Sequence, residues 1–151
     1  MIAICILIAA GIFFGDLWIK NQIEKRMTEG ETKCFYRGRI LIRRHHNHGV
    51  MLNFLQKWQP VVAVLSLVLT IAMTVLFGLS FGTRGNNLLR VGLSFLLGGA
   101  FSNTYDRLKR KFVVDYLSFG VKWKRFRRII FNISDFCIII GALLAVIGIS
   151  D

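Results

Sequence analysis

Two aspartates that flank the last apolar segment, Asp115 and Asp135, are the residues of this chain best suited to chemistry. The chain has only eight acidic residues against twenty lysines and arginines, and a carboxylate at the edge of lipid is costly without a partner or a function. Two carboxylates within a few ångströms of each other cannot both ionise cheaply, so one keeps a proton. The ionised member can then deprotonate water while the protonated member polarises a scissile carbonyl.

Polar residues at helical spacing accompany these aspartates. Asn132 stands three residues before Asp135, which places both on one helix face, although this spacing alone is typical of an N-cap. Asn103 and Arg107 are four apart in the preceding apolar segment and also share a face. That face is suited to binding a substrate headgroup or peptide backbone; the simpler alternative is a local ion pair between Asp106 and Arg107.

Other motifs favour structural roles. Asp16 and Lys20 are four apart in the favourable acid-before-base order, which predicts an ion pair at the membrane edge. The small residues 98–100 allow close approach of a neighbouring helix. Asn47 and Gly49 predict a turn whose backbone can approach a ligand.

The histidines and cysteines do not form a metal pattern. Residues 44–49 contain three histidines, but adjacent loop histidines lack the fixed geometry of a metal site. The three cysteines are odd in number and have no metal-ligand spacing, which favours packing roles. We expect neither a metal nor a cofactor.

Apolar and charged residues occupy separate blocks, which argues against a soluble domain. No residue between Lys57 and Arg84 is charged, a stretch long enough to cross a hydrocarbon core of about 30 Å as a helix. The first block lacks a basic start and a cleavage pattern, so we expect it to be retained. The blocks predict an all-α membrane protein with a single integral-membrane domain over residues 1–151 and four transmembrane helices, at about residues 1–19, 59–81, 88–106 and 130–150.

The long connections between these blocks are basic. Residues 20–58 are expected to form an interfacial segment, within which residues 34–43 alternate like a strand pair. Residues 107–129 are expected to form a loop that carries Asp115. Residues 122–128 interleave bases with aromatics between two membrane segments, so anionic lipid headgroups are the expected partner rather than nucleic acid.

Five blocks, in this order, resemble the lipoprotein signal peptidases (signal peptidase II), the aspartate-dependent membrane proteases of bacteria. The matching blocks are Asp16-x-x-x-Lys20, Asn47-x-Gly49, Gly98-Gly99-Ala100-x-x-Asn103-x-x-Asp106-Arg107, Val113-Val114-Asp115-Tyr116 and Phe131-Asn132-x-x-Asp135. The resemblance implies four helices with a small β-rich interfacial cradle after the first helix. It also implies cleavage of diacylglyceryl-modified prolipoproteins just before the lipidated cysteine.

The resemblance implies residue roles as well. Asp115 and Asp135 match the catalytic dyad, Asp16 and Lys20 match a structural pair, and Asp106 is assigned to support. The positions that match the substrate site are Asn47, Gly49, Asn103, Arg107 and Asn132.

Four departures from the family pattern stand near these blocks. Residues 50–52 replace small residues and an aromatic, Ser102 replaces a usual glycine, Ser134 a usual alanine and Tyr116 a usual phenylalanine. None removes a catalytic group. We expect the first three to reshape the pocket or lower activity.

The charge distribution and the family resemblance predict opposite orientations of the chain in the membrane. Residues 20–57 and 107–128 carry nine lysines and arginines each, against two around the short turn. The positive-inside rule would put these connections in the cytoplasm, whereas the family puts them outside. We follow the family and expect a multi-pass protein of the bacterial plasma membrane with its active site near the outer face.

The sequence therefore predicts a monomeric membrane aspartyl endopeptidase that acts on lipid-modified signal-peptide precursors. One alternative is a non-catalytic relative that binds lipidated peptides or anionic lipid through the same cleft. Another is a small metal-handling membrane protein that uses His45, His46 and His48, which would carry stoichiometric metal.

Overall fold

The computed structural model describes residues 1–49, 56–82, 86–123 and 127–150. This part of the chain contains four α-helices and one antiparallel sheet. In chain order the elements are α1 (Ile2–Arg26), β1 (Thr32–Phe35), β2 (Ile40–Asn47), α2 (Gln59–Ser80), α3 (Asn87–Lys109), β3 (Val113–Phe119) and α4 (Ile133–Ser150). Short 3₁₀ turns lie at Tyr36–Gly38 and Gln56–Trp58.

The distribution of polarity is the reverse of that in a water-soluble protein. Helices α1 and α2 are long and apolar enough to cross a membrane, with mean hydropathies of 2.4 and 2.6, and Ile133–Ile149 is a shorter apolar helix. Large apolar side chains such as Leu7 and Leu79 face outward, while the fully buried side chains are mostly polar or charged. Because apolar surface is costly only in water, this arrangement is typical of a membrane protein.

Helix α3 lies at the centre and packs against α1, α2 and α4. Its small residues permit this packing: a Cβ at Gly98 would lie 2.7 Å from the carbonyl oxygen of Ala9, and one at Gly99 would lie 2.5 Å from that of Ser134. The expectation that residues 98–100 allow close helix approach is confirmed. Gly99 matters most for the site, because it brings the first turn of α4 onto α3.

The three strands form a sheet in the order β1-β2-β3. β1 and β2 pair antiparallel from Thr32 opposite Arg43 to Phe35 opposite Ile40, which confirms the expected strand pair and begins it two residues earlier. β3, in contrast, lies inside residues 107–129, which were expected to form a loop. Residues 113–116 are all buried, so both faces of β3 are covered and its sequence lacks the polar–apolar alternation that identifies a half-exposed strand.

The ends of two helices also differ from the expected positions. α1 continues past residue 19 to Arg26, and Arg44 caps this charged extension by donating to the carbonyl oxygens of Glu24 and Met27 at 3.3 and 2.6 Å. α4 begins at Ile133 because Asn132 precedes it as a cap. The departures at residues 50–52 lie outside the described residues, as do residues 124–126 of the basic run.

Candidate active site

Asn132 lies between the two aspartates and contacts both. Its Nδ2 donates to Asp115 Oδ1 at 2.8 Å, and its backbone N–H donates to Asp135 Oδ2 at 3.0 Å. The backbone N–H of Asp135 returns a hydrogen bond to Asn132 Oδ1 at 3.0 Å, which makes a reciprocal cap at the start of α4. The N-cap interpretation of this spacing is therefore correct, and the same cap links Asp135 to Asp115.

Two further asparagine amides occupy the remaining carboxylate oxygens. Asn47 Nδ2 donates to Asp115 Oδ2 at 2.9 Å, and Asn103 Nδ2 donates to Asp135 Oδ1 at 2.9 Å. Each of the four carboxylate oxygens thus accepts an N–H. Among the described residues neither aspartate forms an ion pair, so the pair is held by neutral amides.

The environment of Asp115 favours the protonated carboxyl group. Asp115 lies in β3, outside the helices, and is 3% exposed. Burial is the main effect and the charge of Asp135 the next; together they raise the pKa of Asp115 to about 7, against the opposing hydrogen bonds from Asn47 and Asn132. Asp115 therefore keeps its proton up to about pH 7.

Both aspartates line a cavity of about 270 Å³. Its other polar walls are Asn47, Asn103 and Arg107, and the remaining lining is Val113, Ile129, Ile130, Phe131, Ile138 and Ile139. A neighbouring cavity of about 390 Å³ shares Asn103 and Arg107 with it and is otherwise lined mainly by apolar side chains of α2, α3 and α4. A cavity with two carboxylates and three further polar residues in its lining thus borders an apolar gap between helices.

Arg107 ties the turn after β2 to α3. Its Nη2 donates to the carbonyl oxygen of Gly49 at 3.2 Å, and Gly49 N donates to Asn47 Oδ1 at 3.1 Å. This second bond confirms the predicted turn and leaves Asn47 Nδ2 free to reach Asp115. Arg107 and Asn47 both line the cavity, and Gly49 links them through these two hydrogen bonds.

A second polar cluster lies deeper, around Lys20. Its Nζ lies 2.9 Å from Asp16 Oδ2 and 3.0 Å from Asp106 Oδ2, and all three side chains are fully buried. The predicted pairing of Asp16 with Lys20 is present, and both side chains are buried inside the helix bundle. The alternative of a local Asp106–Arg107 ion pair is wrong, since the ion pairs of Asp106 run to Lys20 and Arg110.

The two clusters are connected through Asn103. Lys20 Nζ donates to Asn103 Oδ1 at 2.9 Å, which leaves the Nδ2 of that amide directed at Asp135. A lysine donates hydrogen bonds and cannot accept them, so this contact fixes which end of the Asn103 side chain faces the aspartate. The buried ion cluster thus orients a donor of the candidate site.

The histidines lie elsewhere than expected, because His45 and His46 belong to β2 rather than to a loop. His46 Nε2 lies 2.8 Å from Glu24 Oε1, and its ring stacks on Phe112 with centroids 3.9 Å apart. The described residues contain no group of three metal-ligating side chains. His46 instead joins β2 to the end of α1.

Comparison with known proteins agrees with this arrangement. A sequence profile of the Signal peptidase (SPase) II family matches residues 8–150. The chain belongs to the signal peptidase II family. Membership in that family makes it a protease and a membrane enzyme.

Curated relatives and solved structures give the extent of the likeness. The lipoprotein signal peptidase of Histophilus somni strain 129Pt is 36% identical over 92% of this chain and 84% of its own length. That of Alteromonas mediterranea is 35% identical, with a match that spans 68% of this chain and 56% of the relative. A bacterial membrane enzyme solved by the in meso method at 2.3 Å resolution superposes with a TM-score of 0.83 at 26% identity, over 99% of this chain and 88% of that one.

Two of the departures from the family pattern, Ser102 and Ser134, were expected to reshape the pocket or lower activity. Both hydroxyls donate to Asp16 Oδ2, at 2.6 and 2.5 Å, and neither residue lines the cavity beside the aspartates. Another departure, Tyr116, also donates to Asp16. Sequence reasoning missed this convergence, because the partners stand about a hundred residues apart in the chain and share no local spacing.

Proposed function

We propose that this member of the signal peptidase II family is an aspartyl endopeptidase that removes signal peptides from diacylglyceryl-modified prolipoproteins, cutting before the lipidated cysteine. The observation that carries the proposal is the pair Asp115 and Asp135, which share the amide donor Asn132, have no cationic partner among the described residues and line one cavity. An uncompensated buried carboxylate pair is costly to fold, and acid/base catalysis gives it a use.

The chemistry follows from a shared proton. The ionised carboxylate takes a proton from water as the water oxygen bonds to the scissile carbonyl carbon, while the protonated carboxyl donates its hydrogen bond to the carbonyl oxygen. The tetrahedral intermediate then collapses. The C–N bond breaks, and the leaving amine receives the proton that the base had taken. The pair ends with one proton, as it began.

The substrate contacts fall to the part of the cavity wall that Arg107 forms. Arg107 presents the charged group that would bind the peptide near the cut, beside the backbone of Gly49, to which it donates a hydrogen bond. Asn47, Asn103 and Asn132 were also expected in the substrate site, but their side-chain amides donate to the carboxylates. We therefore assign them to holding the aspartates at the edge of that site.

The apolar parts of the substrate have a matching surface. The gap between α2 and α4 is lined by side chains such as Leu69, Met73 and Leu96 and opens to Arg107 and Asn103. Acyl chains would enter such a gap from lipid, so van der Waals packing against its side chains would hold them there. This gap would hold acyl chains of the lipidated cysteine while the peptide bond lies beside the aspartates.

The proposed membrane arrangement has four spanning helices, with the sheet and the site near the outer face. The sheet end carries exposed aromatics, among them Tyr36 at 79% and Trp123 at 81% exposure, and interfacial aromatics anchor proteins at the headgroup level. Neighbouring lysines and arginines would attract anionic lipid. All proposed catalytic groups come from one chain, which is compatible with a monomer.

The test is cleavage by the purified protein in lipid bilayers. Two precursor peptides that differ only in diacylglyceryl modification of the cysteine are compared, and products are identified by mass. We expect release of the signal peptide from the lipidated precursor, with the new amino terminus at the modified cysteine. Binding of that precursor without cleavage would overturn the proposal in favour of the non-catalytic alternative.

A further inference from the structure

Two consecutive residues of β3, Asp115 and Tyr116, belong to different polar clusters: the candidate active site and the cluster around Lys20. Asp115 faces the cavity, and Tyr116 faces the opposite way, towards Asp16 on α1. The Tyr116 hydroxyl donates to Asp16 Oδ1 at 2.7 Å and accepts from the backbone N–H of Ile133 at 3.1 Å. A single buried phenol thus joins β3, α1 and the start of α4.

The contact with Ile133 acts at a helix end that needs a partner. Ile133 is the first residue of α4, and the first backbone N–H groups of a helix have no acceptor inside the helix. The Tyr116 oxygen supplies one while its proton goes to Asp16. Burial and the nearby charge of Asp16 raise the pKa of Tyr116, so the phenol keeps the proton that it donates.

Asp16, which accepts the hydrogen bond from Tyr116, is itself held by several other contacts. Its Oδ2 accepts from Ser102 and Ser134 and pairs with Lys20, and its Oδ1 accepts from Tyr116. The first turn of α4 therefore reaches Asp16 twice, directly through Ser134 and through Tyr116 by way of Ile133. That same turn carries Asp135.

We propose that Tyr116 is a positioning residue whose hydroxyl holds the strand that carries Asp115 against the helix turn that carries Asp135, with Asp16 as the anchor. This inference rests on the proposed function, because it assigns Tyr116 a role in aligning the two carboxylates. Removal of the hydroxyl leaves Ile133 N–H without its acceptor and lets the first turn of α4 shift. The phenyl ring remains in place to fill its volume.

The decisive variant is Tyr116→Phe, assayed with the diacylglyceryl precursor for kcat, KM and the pH dependence of kcat. We expect kcat to fall about tenfold, since small displacements of catalytic groups are costly, with KM nearly unchanged because Tyr116 does not line the cavity. The limb of the pH–kcat profile that is set by ionisation of the carboxylate pair should also shift along the pH axis. A purely structural role would lower the folded fraction and leave that limb in place.

Two matched controls separate this effect from the loss of any buried or phenolic hydroxyl. Ser118→Ala removes a fully buried hydroxyl from the same strand, where Ser118 Oγ donates to the carbonyl oxygen of Arg127 at 3.1 Å. Tyr105→Phe removes a phenol from α3 that is 38% exposed and whose ring contacts Phe13 on α1. Both should keep the kcat and pH profile of the unmodified protein.

A second variant keeps the inference testable if Tyr116→Phe does not fold. Ser134→Ala removes the direct contact between α4 and Asp16, and a smaller fall in kcat is expected because Oδ2 still accepts from Ser102 and Lys20. Unchanged kcat and pH profile in the folded variants would overturn the inference. Such a result, with the unmodified protein active and Asp115→Asn inactive, would leave the proposed function standing; an inactive unmodified protein would overturn the function itself.

Discussion

The chain contains two buried carboxylate pairs, and they are held in different ways. Asp16 and Asp106 share the ammonium group of Lys20, and all three side chains are inaccessible. Asp115 and Asp135 receive only amide hydrogen bonds from the described residues and line a cavity. The first pair is neutralised and closed, whereas the second keeps a proton and faces a space that a substrate can enter.

The difference teaches how carboxylates in one fold can take separate roles. A cation between two carboxylates compensates their negative charge and makes the cluster a structural element, because loss of any member leaves a buried charge unpaired. Neutral amides orient a carboxylate without fixing its protonation state. The asparagines around Asp115 and Asp135 thus permit proton transfer that a lysine in the same place would suppress.

Removing the cation from the closed pair is expected to have the largest effect on stability. Lys20→Met leaves Asp16 buried without a counter-charge and leaves Asp106 with Arg110 alone, at a cost of about 3–5 kcal/mol. The measurement is thermal or denaturant unfolding in detergent. Lys25→Met, which alters an exposed lysine of the same helix, should unfold like the unmodified protein; equal stabilities of the two variants would contradict the structural role of the Lys20 cluster.

A substitution that displaces Asp135 but leaves both aspartates in place should have a smaller effect, and we expect that effect on the cleavage rate. In Gly99→Ala the new Cβ would lie 2.5 Å from the carbonyl oxygen of Ser134, so α4 must move away from α3 and carry Asp135 with it. We expect cleavage to slow by about ten- to a hundredfold. Gly78→Ala is the control, because a Cβ there meets nothing within 4 Å; a normal rate in Gly99→Ala would show that the tight contact is not required.

The change of kcat with pH is the smallest of the expected effects, and it reports specifically on the protonation of the carboxylate pair. The pKa of Asp115 is raised from 3.8 to about 7, so the pair keeps its proton below that pH, and kcat should fall as the pH rises through about 7. The sign for stability is the same. The unfolded chain ionises this group at its ordinary pKa of 3.8, so the stability contributed by the neutral carboxyl is lost as the pH rises through about 7.

A pH–rate profile together with unfolding measurements over the same range tests this prediction. Asp115→Asn should remove the corresponding part of the pH dependence of stability. A value of kcat that stays constant between about pH 6 and 9 would contradict a shared proton as the working state of the pair.

The local parts of this architecture were predictable from the sequence. Apolar blocks marked the helices, and the spacing of Asn132 and Asp135 placed both at one helix start. The β1–β2 hairpin followed from alternation in residues 34–43, and the close helix packing followed from small residues at 98–100. In each case the signal lies within one element, where periodicity and residue size are sufficient.

The non-local parts were not predictable. β3 has both faces covered, so its sequence does not alternate, and it resembled a loop between helices. The hydroxyls of Ser102, Ser134 and Tyr116 meet Asp16 across separations of 86, 118 and 100 residues. No spacing rule links residues so far apart, and only the packed bundle reveals that they share one carboxylate.

The central claim is that the amide-held pair performs the chemistry, and substitution of each aspartate tests it most directly. The measurement is the rate of signal-peptide release from a diacylglyceryl precursor by Asp115→Asn and Asp135→Asn, corrected for the amount of folded protein. We predict a loss of at least about a hundredfold for each variant, with unfolding behaviour close to that of the unmodified protein. Release at the unmodified rate by either folded variant would contradict the account.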